Sequence, residues 1–266
     1  MCLLTFFPPG VQPDTDALLN GAVINDDGHG FAIATPGTLI IERGLGALEL
    51  IGAFEAARSR HPGGPALFHS RYGTHGNQDL GNCHPFPVGG DTRTVLAHNG
   101  VLPPIVWPGK DDHRSDTRIT AEDFLPVFGS LRTRRTRTRL ERWMTPDNKM
   151  VILTVDRRFK QQSFILNEPA GIWDGGIWYS NDGYLPAPVH ARWEPGSPLW
   201  DDDTYWDSRW EEIRAERCEY CGTLVGPYED ACPRCGWCLD CGQMPPSCDC
   251  YTPAVLAQQR GRASGQ

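Results

Sequence analysis

Eight of the chain's ten cysteines lie between Cys218 and Cys250, and this clustering constrains the fold of the C-terminal region more than any other feature. Cys218-x2-Cys221 and Cys232-x2-Cys235 form two pairs, each followed by a glycine. Four thiolates at this spacing are typical of a tetrahedral zinc site. A segment this short cannot bury a core of its own, so a bound metal supplies much of its folding free energy. The pattern predicts a zinc ribbon.

A second set of cysteines follows the first, namely Cys238, Cys241, Cys248 and Cys250. Their C-x2-C and C-x-C spacings are compatible with a second zinc ion. Disulfides are the alternative, but they need an oxidising compartment, for which the sequence carries no sign. We therefore expect one zinc ion at the first set, and the second set is compatible with another. We expect the cysteine module, residues 218–250, either to have a structural role or to dock a partner. It has few basic residues, so contact with nucleic acid is not favoured.

Composition and length place limits on the rest of the chain. With 266 residues, 39% of them apolar and 22% charged, it is long enough for one large domain and a small module. A net charge of −8 argues against a general nucleic-acid coat. The N-terminal run CLLTFF is too short to cross a bilayer and lacks the basic region of a signal peptide. We expect a cytoplasmic protein with no membrane contact.

Changes in composition predict four segments. Residues 2–193 form a mixed α/β domain, 194–217 an acidic, tryptophan-rich connector, 218–250 the cysteine module and 251–266 a disordered tail. Within the first segment, GFAIAT and TLIIE predict neighbouring strands, and ALELIGAFEAARSR predicts a helix. PALFHSR and TVLAHNG predict further strands, and MVILTVD with QSFILNE predicts a hairpin. The basic run at 132–142 is interpreted as a solvated helix face or loop.

Cys2 is the first candidate for chemistry, because an aminopeptidase can remove a methionine that precedes so small a residue. Cys2 would then carry a thiol and a free α-amine. A thiol is a strong nucleophile, and an α-amine with a pKa of about 8 is a usable base at neutral pH. The alternative is that Cys2 is only a small hydrophobic residue.

Three polar stretches strengthen the catalytic interpretation of Cys2: HSRYGTHGNQ, AHNGVL and RSDTR. Each alone has a structural explanation, such as an ion pair, a turn or a helix cap. Together they supply what attack on the side-chain amide of a free amino acid needs. Arg71 can hold an α-carboxylate and Asp116 an α-ammonium. The Asn99 side chain and the Gly100 N–H are suitable donors for a developing oxyanion.

The order MC, HSRYGTHGN, NCHPF, AHNGVL and RSDT resembles the class II glutamine amidotransferases, which are N-terminal nucleophile hydrolases. The resemblance covers residues 2 to about 190 and implies an α+β fold, a four-layer α/β/β/α sandwich. It implies that Cys2 attacks the glutamine side-chain amide, forms a γ-glutamyl thioester and releases ammonia. Asn99 and Gly100 would form the oxyanion hole, and the substrate would be bound by Arg71, Thr74, His75 and Asp116.

Two departures from the family pattern stand out. The family often has an acidic residue two positions after the aspartate, where this chain has Arg118. The stretch PPIVWPGKDDH between AHNGVL and RSDT indicates an unusual loop over the pocket. No segment is long enough for an acceptor domain, so we expect a separate synthase or ligase subunit to receive the ammonia. The alternatives are a hydrolase of another γ-glutamyl amide, and an inert adaptor that binds a partner or nucleic acid through the zinc module.

Overall fold

The computed structural model describes residues 2–186, 216–225, 231–232, 234–238 and 243–244. The chain divides into two compact units, one of residues 1–128 and 140–187 and one of residues 129–139 and 188–266. The segment limits expected from the sequence remain predictions. The expected connector up to residue 215 and the whole expected tail lie outside the described residues.

The first unit contains the two larger sheets. The strands of the described residues are β1 (Leu3–Phe7), β2 (His29–Thr35), β3 (Thr38–Gly44), β4 (Ala66–Ser70), β5 (Phe86–Val88), β6 (Asp91–Asn99), β7 (Lys149–Thr154), β8 (Ser163–Leu166), β9 (Ile172–Asp174), β10 (Ile177–Tyr179), β11 (Glu216–Arg217) and β12 (Leu224–Val225). The helices are α1 (Thr15–Ile24), α2 (Ala47–Arg60), α3 (Asp116–Ile119), α4 (Leu125–Phe128) and α5 (Arg134–Met144), and a π-helical turn, Thr120–Phe124, joins α3 to α4.

All strand pairs in the two larger sheets are antiparallel. The six-stranded sheet has the order β3-β2-β4-β1-β10-β9, and the four-stranded sheet has the order β5-β6-β7-β8. The expectation of a mixed α/β fold is confirmed at this level, with antiparallel sheets. The four-layer arrangement stays a prediction.

The four inner strands of the six-stranded sheet, β1, β2, β4 and β10, are buried along their whole length. Successive side chains of a strand point to opposite sides, so these strands bury both of their faces. In β1, Leu3 and Phe7 pack in a cluster with residues of α1 and α2. Leu4 and Phe6 pack in a second cluster with residues of β6 and β7 such as Val95. The two sheets therefore face each other across the second cluster, while α1 and α2 cover the opposite face of the six-stranded sheet.

The local predictions from sequence agree closely with these elements. The segment ALELIGAFEAARSR is α2 with the same limits. The two strands joined at Pro36-Gly37 are β2 and β3, and the predicted hairpin is β7 paired with β8. Most of the basic run 132–142 lies in α5. Among the described residues, no helix is both long and apolar enough to span a membrane.

A close backbone approach ties β2 to the segment that carries His84. A Cβ atom at Gly30 would overlap the carbonyl oxygen of His84, so only glycine fits at this position. Gly52, in contrast, lies exposed in α2, and a Cβ atom there meets no other atom within 4 Å.

Gly30→Ala should lower the free energy of unfolding by about 1–3 kcal/mol, the usual cost of forcing extra volume into a packed site. Gly52→Ala is the matched control and should raise it by about 0.5–1 kcal/mol, because alanine loses less entropy in a helix than glycine does. Urea unfolding of both variants measures the difference. Equal stability of the two would contradict the close packing of β2 against His84.

Candidate active site and cysteine cluster

Cys2 lies directly before β1, and the pairing of Leu3 with Ser70 brings it beside the segment that follows β4. The Tyr72 N–H donates to the Cys2 sulfur at 3.2 Å, and the thiol donates to the Tyr72 carbonyl at 3.3 Å. The Asn181 side chain donates to the Cys2 carbonyl at 2.8 Å. Burial raises the pKa of the Cys2 thiol, so it is neutral at pH 7 and needs a base to become a nucleophile.

Cys2 opens onto a cavity of about 260 Å³, measured to its open mouth. The cavity is lined by Cys2, Arg71, Tyr72, Thr74, His75, His84, His98, Gly100, Ser115, Asp116 and Thr117. Six of the seven residues that the sequence nominated for catalysis or substrate binding are therefore brought together. Asn99 is the exception, since it is not among the lining residues.

Arg71 follows β4 directly and is only 3% exposed. Its Nη2 donates to the carbonyl of His75 at 2.9 Å, whereas its Nη1 is buried without a hydrogen-bond partner in the described part of the chain. No carboxylate of the described residues lies within ion-pair distance of this guanidinium. A buried cation without a counter-ion is costly, so the site is suited to an incoming anion.

Asp116 begins α3 and is only 4% exposed. Its carboxylate accepts hydrogen bonds from the backbone N–H of Leu102 at 2.9 Å and of Thr117 at 2.7 Å. Within the described ranges it has no lysine or arginine partner. The cavity therefore presents a buried anion and a buried cation that do not neutralise each other, a pattern complementary to a ligand that carries both an ammonium and a carboxylate group.

Asn99 is the last residue of β6, and its Nδ2 donates to the Ser180 hydroxyl at 2.8 Å. Its Oδ1 is buried and has no partner among the described residues. Gly100 has a φ of +135°, and a Cβ atom there would overlap the side-chain oxygen of Asn148. A side chain at Gly100 is therefore excluded both by its backbone conformation and by its neighbour.

Three buried histidines, two of which line the cavity, form a network that the sequence motifs did not predict. His69 Nε2 lies 3.0 Å from the carbonyl of His98 and 2.8 Å from His84 Nδ1. A carbonyl only accepts hydrogen bonds, so the proton is on His69 Nε2 and His84 Nδ1 accepts. Burial lowers the pKa of His69 to about 3 and the pKa values of His84 and His98 below their usual range. The one signal in the sequence is a histidine within each of two apolar strands.

Arg118, where the family often has an acidic residue, makes contacts with residues close to it in the fold. Its Nε forms an ion pair with Glu122 at 2.8 Å, one helical turn along the chain. It also donates to the carbonyl of Gly81 at 3.3 Å. The ring of Trp107 packs against His75 with centroids 5.0 Å apart, so the unusual loop contacts a lining residue.

Four cysteines of the second unit converge. The sulfur atoms of Cys218, Cys221, Cys232 and Cys235 all lie within 4.8 Å of one another, and none is in a disulfide. Two of the distances, Cys218 to Cys235 at 3.7 Å and Cys221 to Cys232 at 3.5 Å, are close to the roughly 3.8 Å edge of a tetrahedron with Zn–S bonds of about 2.3 Å. The donor set and its spacing therefore fit one metal ion.

Both pairs have the same backbone geometry. The Cys218 carbonyl accepts from Gly222 and its N–H donates to Thr223, and Cys232 makes the equivalent bonds with Gly236 and Trp237. The N–H of Cys238 likewise donates to the carbonyl of Gln243, five residues on, at 3.0 Å. The remaining members of the second set, Cys241, Cys248 and Cys250, lie outside the described residues.

Comparisons with known proteins give a limited result. No protein-family model matches the chain, and no curated protein matches it. It is similar to the glutamine phosphoribosylpyrophosphate amidotransferase from B. subtilis, complexed with ADP and GMP, at 16% identity and a TM-score of 0.44 over 67% of this chain and 41% of that one. It is also similar to a structure described as the allosteric regulatory enzyme of purine biosynthesis, at 16% identity and a TM-score of 0.43. That match covers 67% of this chain and 41% of the other.

A third structure, a glutamine aminotransferase class-II domain protein from Silicibacter pomeroyi, is 14% identical with a TM-score of 0.30. The match covers 59% of this chain and 79% of that structure's chain. For the first two structures, the match spans only about two fifths of their length. All three scores are below 0.5, so these similarities carry no argument about function.

The buried histidines should make stability depend on pH. The pKa values of His29, His69, His84 and His98 are lowered by burial, whereas an unfolded histidine titrates near about 6.5. Below that pH the unfolded chain binds more protons than the folded protein. The free energy of unfolding should therefore fall as the pH falls from 6.5 to 5, by up to about 1.4 kcal/mol per unit for each histidine.

Urea unfolding at pH 7, 6 and 5 measures how the free energy of unfolding changes with pH. Aspartates and glutamates titrate mainly below pH 5, so they contribute little to this change. His69→Gln, which keeps a donor for the carbonyl of His98, should reduce this change. A stability that does not change between pH 7 and 5 would mean that the folded protein takes up these protons freely.

Proposed function

We propose that this chain is a class II glutamine amidotransferase that hydrolyses the glutamine side-chain amide and delivers the ammonia to a separate acceptor. The proposal depends on one observation above all. Arg71 and Asp116 are buried on the same cavity as the Cys2 thiol, and neither has an oppositely charged partner in the described part of the protein. A free amino acid head group satisfies both.

Glutamine binds with its α-carboxylate on Arg71 and its α-ammonium on Asp116. The unpartnered Nη1 of Arg71 donates to the carboxylate, and the charge-assisted bonds at each end are stronger than neutral ones. Thr74 and His75 line the same cavity and complete the pocket for the head group. The α-carboxylate and the α-ammonium are both held, so the side-chain amide is directed to Cys2.

Removal of Met1 gives Cys2 a free α-amine, which acts as the base. The amine takes the thiol proton, and the sulfur forms a bond to the amide carbon while the carbonyl electron pair moves onto oxygen. Asn99 Nδ2 and the Gly100 N–H stabilise this oxyanion. When it collapses, the C–N bond breaks, the nitrogen takes the proton from the ammonium of Cys2, and ammonia leaves. The product on the enzyme is a γ-glutamyl thioester.

Water then hydrolyses the thioester. The α-amine takes a proton from the attacking water, the carbonyl again becomes an oxyanion, and its collapse breaks the C–S bond. The sulfur recovers a proton from the ammonium, and glutamate is released. The balance is glutamine and water to glutamate and ammonia. A separate synthase or ligase subunit accepts the ammonia.

Purified protein should release equal amounts of ammonia and glutamate from glutamine, once intact mass has shown that Cys2 is N-terminal. Cys2→Ala should abolish this activity, because no other group replaces the nucleophile, and a glutamine-mimicking electrophile should label only the wild type. Cys83→Ala is the matched control, since Cys83 is buried away from the cavity lining. Activity that survives Cys2→Ala would refute the mechanism.

Substrate recognition is tested by Arg71→Met and Asp116→Asn. Each removes a charged hydrogen bond worth about 1.5–3 kcal/mol, so kcat/KM should fall about 10- to 150-fold. Arg93→Met, at an exposed ion pair with Asp91, is the control and should leave activity unchanged. Glutamine blocked at its α-amine or α-carboxylate should be a poor substrate. Rapid hydrolysis of such γ-glutamyl amides would point to a different substrate.

The proposal for the cysteine module is that Cys218, Cys221, Cys232 and Cys235 bind zinc and that the module docks the ammonia-accepting partner. Cysteine thiolates favour zinc among the common metals, and the ion supplies folding free energy to the module. A second zinc ion is proposed at Cys238, Cys241, Cys248 and Cys250.

Elemental analysis of the purified chain should give two zinc ions per molecule. Cys218→Ser should remove one of them and Cys238→Ser the other, because loss of one thiolate opens a four-ligand site. Cys83→Ser, at a cysteine outside the module, should leave the zinc content unchanged. One zinc ion in both the wild type and Cys238→Ser would eliminate the second site, and none would eliminate both.

A further inference from the structure

The segment Ser180–Asn181, directly after β10, contacts two parts of the candidate active site. Ser180 is fully buried, and its backbone N–H donates to the carbonyl of Leu4 at 2.8 Å. Its hydroxyl oxygen accepts from the Leu4 N–H at 2.9 Å and from Asn99 Nδ2 at 2.8 Å. Asn181 holds the Cys2 carbonyl at 2.8 Å. The segment therefore joins the strand that follows Cys2 to the end of β6.

Two hydrogen-bonding groups remain unmatched in this arrangement. The Ser180 oxygen accepts two bonds, and its hydroxyl proton has no acceptor among the described residues. Asn99 Oδ1 is buried and has no donor in the described part of the chain. A buried polar group without a partner costs about 1–3 kcal/mol. An arrangement that pairs both groups removes two such costs, and the amide NH₂ then takes its partner from a ligand.

Rotation of the Asn99 amide by 180° pairs both groups at once. Oδ1 then occupies the place of Nδ2 and accepts the Ser180 hydroxyl proton, while the Ser180 oxygen still accepts from Leu4. Nδ2 then occupies the place of Oδ1, where no group of the described residues donates a hydrogen bond. Asn99 lies between His98 and Gly100, which both line the cavity. The rotation therefore releases Nδ2 from its bond to Ser180.

We infer that Ser180 is a positioning residue, whose hydroxyl donates to Asn99 Oδ1 and so keeps Asn99 Nδ2 available to the oxyanion. This inference rests on the proposed amide hydrolysis. Without the hydroxyl, the amide has no anchor, and its oxygen can face the developing negative charge as readily as its nitrogen. The effect falls on the transition state rather than on binding, because Arg71 and Asp116 hold the head group of the substrate.

Ser180→Ala should lower kcat for glutamine hydrolysis about 10- to 100-fold with KM within about twofold, whereas Asn99→Ala should lower it about 10²–10³-fold. The double variant should be no slower than Asn99→Ala, because Ser180 acts only through that side chain. Ser180→Thr, which keeps the hydroxyl, should recover part of the rate. A wild-type kcat in Ser180→Ala, or losses that multiply in the double variant, would overturn the inference.

Thr5→Val is the matched control for loss of a buried hydroxyl. Thr5 lies in β1, and its hydroxyl is buried without a hydrogen-bond partner in the ranges that the structure describes, so its removal should leave kcat unchanged. Alkylation of Cys2 by iodoacetamide forms no oxyanion, so its rate should be the same in Ser180→Ala and the wild type. A slower alkylation would mean that Ser180 acts on the nucleophile, which would contradict the proposed role.

Neutron diffraction from deuterium-exchanged crystals of the wild-type protein tests the orientation without any assay. Deuterium on the Ser180 oxygen directed at Asn99 Oδ1 supports the inference, and an ND₂ group directed at Ser180 overturns it. A wild-type protein that does not hydrolyse glutamine would refute the proposed function alone. In that case the neutron map would still decide how the Asn99 amide is held.

Discussion

The candidate site depends on the central position of β1 in the six-stranded sheet. This strand pairs with β4 on one side and β10 on the other, so the segment before it lies next to the ends of both neighbours. Cys2 is placed beside Arg71 and Tyr72 by the first pairing and beside Asn181 by the second. A shift of one residue in either register would turn every side chain of the strand to the other face of the sheet. The buried apolar clusters on both faces prevent such a shift.

Electrostatics determine what the cavity is suited to bind. The protein buries the guanidinium of Arg71 and the carboxylate of Asp116 without pairing them to opposite charges in the described residues. Such charges reduce stability unless a ligand neutralises them. The three buried histidines of the network add no charge near neutral pH, because burial lowers their pKa values. The two fixed charges therefore dominate the field in which a substrate would bind, and the neutral Cys2 thiol depends on a nearby base.

The cysteine cluster and the cavity differ in how far apart in the sequence their residues lie. The four sulfur atoms come from two short pairs, and each pair folds by hydrogen bonds between residues at most five positions apart. Spacing alone therefore predicted the cluster correctly. The motifs around the cavity predicted Cys2, Arg71, Thr74, His75, Gly100 and Asp116 as neighbours, and they line one cavity. The histidine network and the bond between Ser180 and Asn99 could not be predicted, because they join segments that are far apart in the chain.

The sequence by itself determined the short-range features of this protein: the limits of α2, the β2–β3 hairpin, the cysteine pairs and the chemical types of the site residues. These depend on propensity, periodicity and spacing within a few residues. Only the tertiary structure decided that Asn99 is hydrogen-bonded to Ser180, that His84 and His98 line the cavity, and that Arg71 and Asp116 have no counter-charge among the described residues. These features depend on the pairing of β1 with β4 and β10 and on the packing of one sheet against the other. Contacts between segments far apart in the chain leave no periodic pattern in the sequence.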